Sequence, residues 1–204
     1  KSGKYKQVAR LTGQQVGSYV DKGLTSGRTY YYKVRAFRNG ICGSYSSVHS
    51  GKAVPKQAKI NTVQSWGYNA LKISWSKVSG AAGYRLYRAT SPNGKYSYVT
   101  QINSGSTTSY VNSKLTTGQK YYYKMRSFVK YDGGYQFGAM SPVSAAASPK
   151  LKKAVITSAV PGYEKVTLKW NKVTGASGYQ IYYREADDDD DDWDYVKTLK
   201  GTSY

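Results

Sequence analysis

Leu115-Thr116-Thr117-Gly118-Gln119-Lys120-Tyr121-Tyr122-Tyr123-Lys124-Met125-Arg126 decides the fold, and the chain carries this stretch twice. Leu24-Thr25-Ser26-Gly27-Arg28-Thr29-Tyr30-Tyr31-Tyr32-Lys33-Val34-Arg35 repeats it, with Tyr30 and Tyr121 lying 91 residues apart. A second repeat joins residues 75–88 to residues 170–183, and here Trp75 and Trp170 are 95 apart. A period this long exceeds a solenoid turn and fits a small autonomous domain. One complete unit spans residues 55–149. Residues 1–54 match its later part, and residues 150–204 match its earlier part.

Within the complete unit, short apolar runs alternate with turn chemistry. Leu71, Ile73 and Trp75 interleave with Lys72 and Ser74, the period of two that marks a half-buried strand. Tyr84 and Leu86 interleave with Arg85 and Tyr87 beyond a break of small residues at 79–83. Ser91-Pro92-Asn93-Gly94 is a turn: proline presets φ, while Asn and Gly tolerate positive φ. Further runs at 59–63, 96–102, 107–112, 120–130 and 137–146 bring the count to seven strands. No window has a 3.6-residue period bounded by helix caps. The expectation is an all-β chain of tandem seven-stranded antiparallel β-sandwiches.

The two tyrosine-rich stretches resemble the loop and sixth strand of a fibronectin type III module, an immunoglobulin-like sandwich. The resemblance implies that Tyr30 and Tyr121 are corner tyrosines whose hydroxyls bond back to the preceding loop. It also implies that Trp75 and Trp170, on the second strand, are core indoles. The pattern Trp-x-Lys-Val-x-Gly-Ala-x-Gly-Tyr, with Gly-Lys-Tyr and Lys-Tyr-Tyr-Tyr-Lys, is similar to modules in surface and secreted proteins of Gram-positive bacteria. Ala53-Val54-Pro55-Lys56 and Ala147-Ser148-Pro149-Lys150 end equivalent last strands. Proline there removes a donor and stiffens a short linker, so successive modules are expected to stand in line.

Charge is unevenly distributed. The net charge is +20, yet residues 1–184 hold only three acids, Asp21, Asp132 and Glu164, against 29 Lys and Arg. A surface so basic attracts polyanions and loses that attraction as salt rises. No apolar run approaches membrane-spanning length.

Catalysis is disfavoured by inventory. His49 is the one histidine and Cys42 the one cysteine, with no glycine-rich elbow or oxyanion motif beside them. His49 reads as a solvated residue and Cys42 as a packing residue or free surface thiol. The scattered acids cannot form the paired carboxylates of glycoside hydrolysis. No catalytic, cofactor-binding or metal-ligating residue is assigned. The run Glu185-Ala186-Asp187-Asp188-Asp189-Asp190-Asp191-Asp192-Trp193-Asp194 replaces the Pro-Asn-Gly turn. It admits three readings: a Ca²⁺ site, although the spaced Asp-x-Asp-x-Asp-Gly pattern is missing; a solvated acidic loop; or a loop that docks on a neighbouring basic face.

Alternation predicts Tyr30, Tyr32, Tyr121 and Tyr123 inward, and Tyr31 and Tyr122 outward beside Lys33, Arg35, Lys124 and Arg126. Outward rings either shield the sheet by cross-strand pairing or stack on sugars or bases. Charge alone speaks for nucleic acid, so no specific nucleic-acid partner is expected.

The expected function is a non-catalytic structural or adhesive array in an extracellular bacterial surface protein or fibre. Its partners would be neighbouring copies of the module or chain, and anionic cell-wall polymers or polysaccharide. Two alternatives stand beside it: carbohydrate-binding accessory modules of a secreted hydrolase, and the subunit of a strand-complemented filament, in which one chain's C-terminal part completes the next chain's N-terminal part.

Overall fold

The computed structural model describes residues 4–13, 17–131, 134–185 and 192–202. Asp132 and residues 187–191 of the acidic run lie outside these. All regular structure among the described residues is β. The first unit contributes β1 (Thr29–Tyr32), β2 (Phe37–Arg38), β3 (Ile41–Cys42) and β4 (His49–Lys52). The middle unit contributes β5 (Ile60–Gly67), β6 (Ala70–Trp75), β7 (Gly83–Ala89), β8 (Ser97–Ile102), β9 (Ser109–Asn112), β10 (Tyr122–Tyr131) and β11 (Gly134–Phe137). The third contributes β12 (Ile156–Gly162), β13 (Lys165–Trp170), β14 (Tyr179–Tyr183) and β15 (Asp194–Leu199).

The middle unit is a sandwich of two antiparallel sheets, ordered β5-β6-β9 and β11-β10-β7-β8. Alternation makes its core. Leu71, Ile73 and Trp75 of β6 meet Tyr84 and Leu86 of β7 and Tyr123 and Met125 of β10, all nearly inaccessible to solvent. Trp75 stands edge-on to Tyr84, with ring centroids 5.4 Å apart. The third unit repeats that pair in Trp170 and Tyr179, also 5.4 Å apart.

Tyrosine hydroxyls pin the loops. Tyr121 accepts the Thr116 N–H at 3.1 Å, and Tyr30 accepts the Thr25 N–H at 2.9 Å, five residues back in each case. The corner arrangement implied by the resemblance is present in both units. A second tie escaped the sequence reading. Tyr84 accepts the Val78 N–H at 2.9 Å, and Tyr179 accepts the Val173 N–H at 2.8 Å, which holds the turn after the core indole.

The last strand departs from expectation. A regular strand over 137–146 was predicted, but ladder pairing ends with β11 at Phe137. Beyond it, Gly138, Ser141, Ser144 and Ala147 donate to Ser127, Met125, Tyr123 and Tyr121, so three residues on one side match two on the other. Every step is therefore a bulge, and the β10 N–H groups left without a facing carbonyl need other acceptors. Ser141 Oγ takes that of Met125 and Ser144 Oγ that of Tyr123, both at 3.0 Å. The first unit repeats the device, with Ser46 Oγ accepting the Val34 N–H at 3.1 Å.

Tyr123 carries a pH-dependent part of this stability. Burial pushes its phenol up from 10.0 to about 12, against the Asn112 hydrogen bond and the Arg88 charge, which pull it down. The folded chain then holds the proton more tightly than the unfolded chain. The stabilisation is whole below pH 10 and is lost as pH rises through about 12. In urea unfolding this group should lose on the order of 2 kcal/mol across that window. Tyr123→Phe should lack that part of the slope, and a variant with the parent's full slope would refute the assignment.

Candidate functional site

The outer face of the four-stranded sheet is where basic and aromatic side chains converge. On β10, Tyr122, Lys124 and Arg126 alternate outward from the buried Tyr123, Met125 and Ser127. On β7, Arg85 and Tyr87 do the same. Register places Arg126 directly across from Arg85, and Lys124 across from Tyr87. Two like charges facing each other across a ladder normally destabilise it. Here aromatic rings and hydrogen bonds hold them.

The Arg126 guanidinium lies 4.0 Å from the Phe137 ring centroid, and that of Arg85 lies 4.5 Å from the same centroid. Arg126 Nε donates to the Tyr87 hydroxyl at 3.1 Å, and Arg85 Nε donates to Gln101 Oε1 at 2.6 Å. Beneath them Phe128, fully buried, meets Tyr135 and Phe137 edge-on at 5.0 and 5.9 Å. Gly83 makes this packing possible, since a methyl there would stand 2.6 Å from the Phe128 ring. The aromatic cluster thus holds two guanidiniums over one ring, and cation–π contact stabilises each by about 0.5–2 kcal/mol.

Toward the other end of the face, Lys124 Nζ lies 4.5 Å from the Tyr96 ring centroid. The Tyr96 phenol is raised by burial and by neighbouring Tyr122. The first unit repeats the pairing: Lys33 Nζ lies 4.2 Å from the Tyr5 ring and 3.9 Å from that of Tyr45. In the third unit Tyr182 and Tyr195 stand edge-on at 5.6 Å, as Tyr87 and Tyr98 do at 6.1 Å, and the Arg184 guanidinium lies 5.6 Å from the Trp193 ring centroid.

Tyr121 and Tyr123 are buried, and Tyr122 is half-exposed on the outer face. Tyr30 and Tyr32 are half-buried and Tyr31 is exposed. Tyr32 donates to Asp21 Oδ2 at 3.0 Å. Its phenol is raised, by desolvation first and by Asp21 second. Cys42 is exposed opposite Phe37, whereas His49 sits opposite Tyr32 in a different sheet with Ser47 Oγ at 3.3 Å. Glu164 occupies the hairpin turn between β12 and β13 at φ 51°. Among the described residues no three His, Cys, Asp or Glu side chains gather as metal ligands, and no helix is long and apolar enough to cross a membrane.

The roles of Phe137 and Tyr135 were missed from sequence. Phe137 opens the last predicted strand, 137–146, and Tyr135 precedes it, and only the register Phe128 to Phe137 brings them beside the arginines.

No family model matches the chain. It is similar to a Kelch domain-containing protein of Saccharolobus solfataricus, 28% identical over 153 residues, which are 71% of this chain and 20% of that protein. The chain thus spans about a fifth of that relative's length. Among solved structures, it is similar to an Fn3-like protein from Clostridium thermocellum, 24% identical with a TM-score of 0.37, over 50% of this chain and 98% of that one. It is also similar to the FN1–FN3 domains of chicken CNTN1, 19% identical with a TM-score of 0.39, over 89% and 65% of the two chains. A third is the sixth fibronectin type III domain from human fibronectin type III domain containing protein 3, 20% identical with a TM-score of 0.39, over 50% and 93%.

Proposed function

We propose that the chain is part of a non-catalytic scaffold of tandem sandwich modules at a cell surface or in a secreted fibre. Residues 55–149 form one module, and residues 1–54 and 150–204 belong to its neighbours. Outer faces such as that of the middle unit hold the array against anionic polymers. The observation that carries this reading is the Arg85–Arg126 pair. Two guanidiniums lie over one ring with their Nε atoms already bonded, and their remaining N–H groups are the donors we assign to phosphate or carboxylate oxygens. The same stacking covers Phe137, and Lys124 covers Tyr96, so these rings offer less open surface to a sugar. That balance favours anion contact over sugar stacking.

The test is binding of the chain to poly(glycerol phosphate) and to a neutral polysaccharide at low and high salt. Poly(glycerol phosphate) binding should fade with salt, survive Tyr122→Ala, and weaken about tenfold in the Arg85→Gln/Arg126→Gln pair. Salt-resistant binding to the neutral polymer that depends on Tyr122 would overturn this reading in favour of a carbohydrate-binding accessory module.

A further inference from the structure

The middle and third units meet through a tyrosine at a hairpin tip. Tyr68 lies in the turn joining β5 and β6, and its ring sits directly on Gly175 of the third unit. A methyl on Gly175 would fall 2.2 Å from the ring's Cγ and 2.4 Å from a Cδ. Gly175 also adopts φ 86°, so two independent constraints favour glycine there. The hairpin carrying Tyr68 is held rigidly: Thr117 Oγ1 donates to the Tyr68 carbonyl at 2.6 Å, and Leu115 N–H donates to that of Asn69 at 2.8 Å. Beside it, Lys150 N–H donates to Ser65 Oγ at 2.9 Å, where the chain passes into the third unit.

Both halves of this contact recur at the repeat spacing of 95 residues. Gly162-Tyr163 stands in the β12–β13 turn where Gly67-Tyr68 stands in the β5–β6 turn, and Tyr163 is 88% exposed. Gly80 occupies the turn equivalent to that of Gly175, at φ 73°, with nothing within 4 Å of where its Cβ would stand. The turns match in detail, since Ala81 N–H donates to Val78 and Ala176 N–H donates to Val173.

A second contact comes from the first joint. Gly27 lies against the Val129 side chain, and Lys52 Nζ lies 3.8 Å from the Tyr131 ring centroid, at the far end of β10. Gly118, the counterpart of Gly27, holds the Pro149 carbonyl at 3.0 Å and so belongs to the same end of the module as Tyr68.

We infer that the middle and third units each carry both halves of a self-complementary head-to-tail joint, and that exposed Tyr163 is a docking tip whose occupant is the glycine turn of a further copy of this module. The established Tyr68–Gly175 contact fixes the chemistry of that occupant. It is a flat, side-chain-free turn at positive φ, backed by a buried valine, onto which one phenol ring lies. Because tip and turn sit at opposite ends of one module, the contact is heterologous and propagates along an array instead of closing into a dimer.

NMR tests this in two arms. In the present chain, the Gly175 α protons should be shifted upfield by the Tyr68 ring. The shift should persist in Tyr68→Phe and vanish in Tyr68→Leu. In the chain continued by residues 111–148 and then 55–149, the added module's copy of Gly80 should show the same upfield shift. There it should be lost in Tyr163→Leu and retained in Tyr163→Phe. If that glycine instead resonates where Gly80 does in the present chain, or if Tyr68→Leu leaves Gly175 unmoved, the inference fails. The inference rests on reading the chain as an array but not on the anionic partner. Ring-current shifts are blind to polyanion binding, and the salt titration is blind to Tyr163.

Discussion

Trp75→Ala is expected to cost the middle sandwich about 3–5 kcal/mol, much of a typical domain's margin. The indole is 2% exposed and packs among Ile73, Leu86, Tyr123 and Met125, with Tyr84 edge-on against it. Those neighbours lie on rigid strands of two sheets, so the void cannot collapse cheaply. Tyr84 would also lose the contact that aims its hydroxyl at Val78. Hydrogen exchange of β6 and β10 amides in a urea series reads the effect without interference from the other units. Trp66→Ala, at a side chain 54% exposed, should change little, and a Trp75→Ala loss equally small would contradict the core described here. Trp75→Phe should cost less than its lost volume suggests. The indole Nε1 has no acceptor, so phenylalanine removes an unsatisfied donor along with the bulk.

Gly105→Ala is expected to destabilise the same sandwich by about 2–4 kcal/mol, although it adds a single methyl group. That methyl would stand 1.8 Å from the Ala81 carbonyl oxygen and 2.8 Å from its carbon, both backbone atoms with no freedom to turn aside. One loop must move, and both are tied by Tyr84, which donates to Gly105 O at 3.2 Å while accepting from Val78. Moving either loop breaks a bond and strands the other partner. Gly118→Ala supplies the contrast: its φ is 79° with open space around it, so conformational strain alone should cost it about 1 kcal/mol. Equal losses in the two variants, measured by urea unfolding, would mean that the Gly105 contact is not the cause.

What the sequence disclosed and what it withheld divide along a physical line. The core was legible because burial on one face imposes a period of two, and Leu71, Ile73, Trp75, Tyr84, Leu86, Tyr123 and Met125 all obey it. The corner bonds of Tyr30 and Tyr121 followed from the resemblance. Tyr84 and Tyr179 obey the same alternation, which hid their second task, since a tyrosine at a core position already has a reason to be there. The irregular run after Phe137 escaped because Gly138, Ser141 and Ser144 recur every three residues, a spacing with no meaning until a neighbour stepping by two is beside it. The basic face was half legible. Lys124 and Arg126 were expected outward, but the ring that holds Arg85 and Arg126 together comes from β11 and reaches them only through its register with β10. The contact between modules was not legible. A glycine that must be bare and one that merely turns the chain look alike until something presses on one of them.

The bulged final strand has a consequence for crowding. Its outward N–H and C=O groups fall out of phase with those of any straight strand laid alongside, and Pro142 removes one donor altogether. Sandwiches strung on one chain are held at high mutual concentration, the condition under which bare sheet edges zip together into fibrils. An edge that keeps changing step gives an intruding strand nothing to register against, so each sandwich remains separate however closely its siblings are packed.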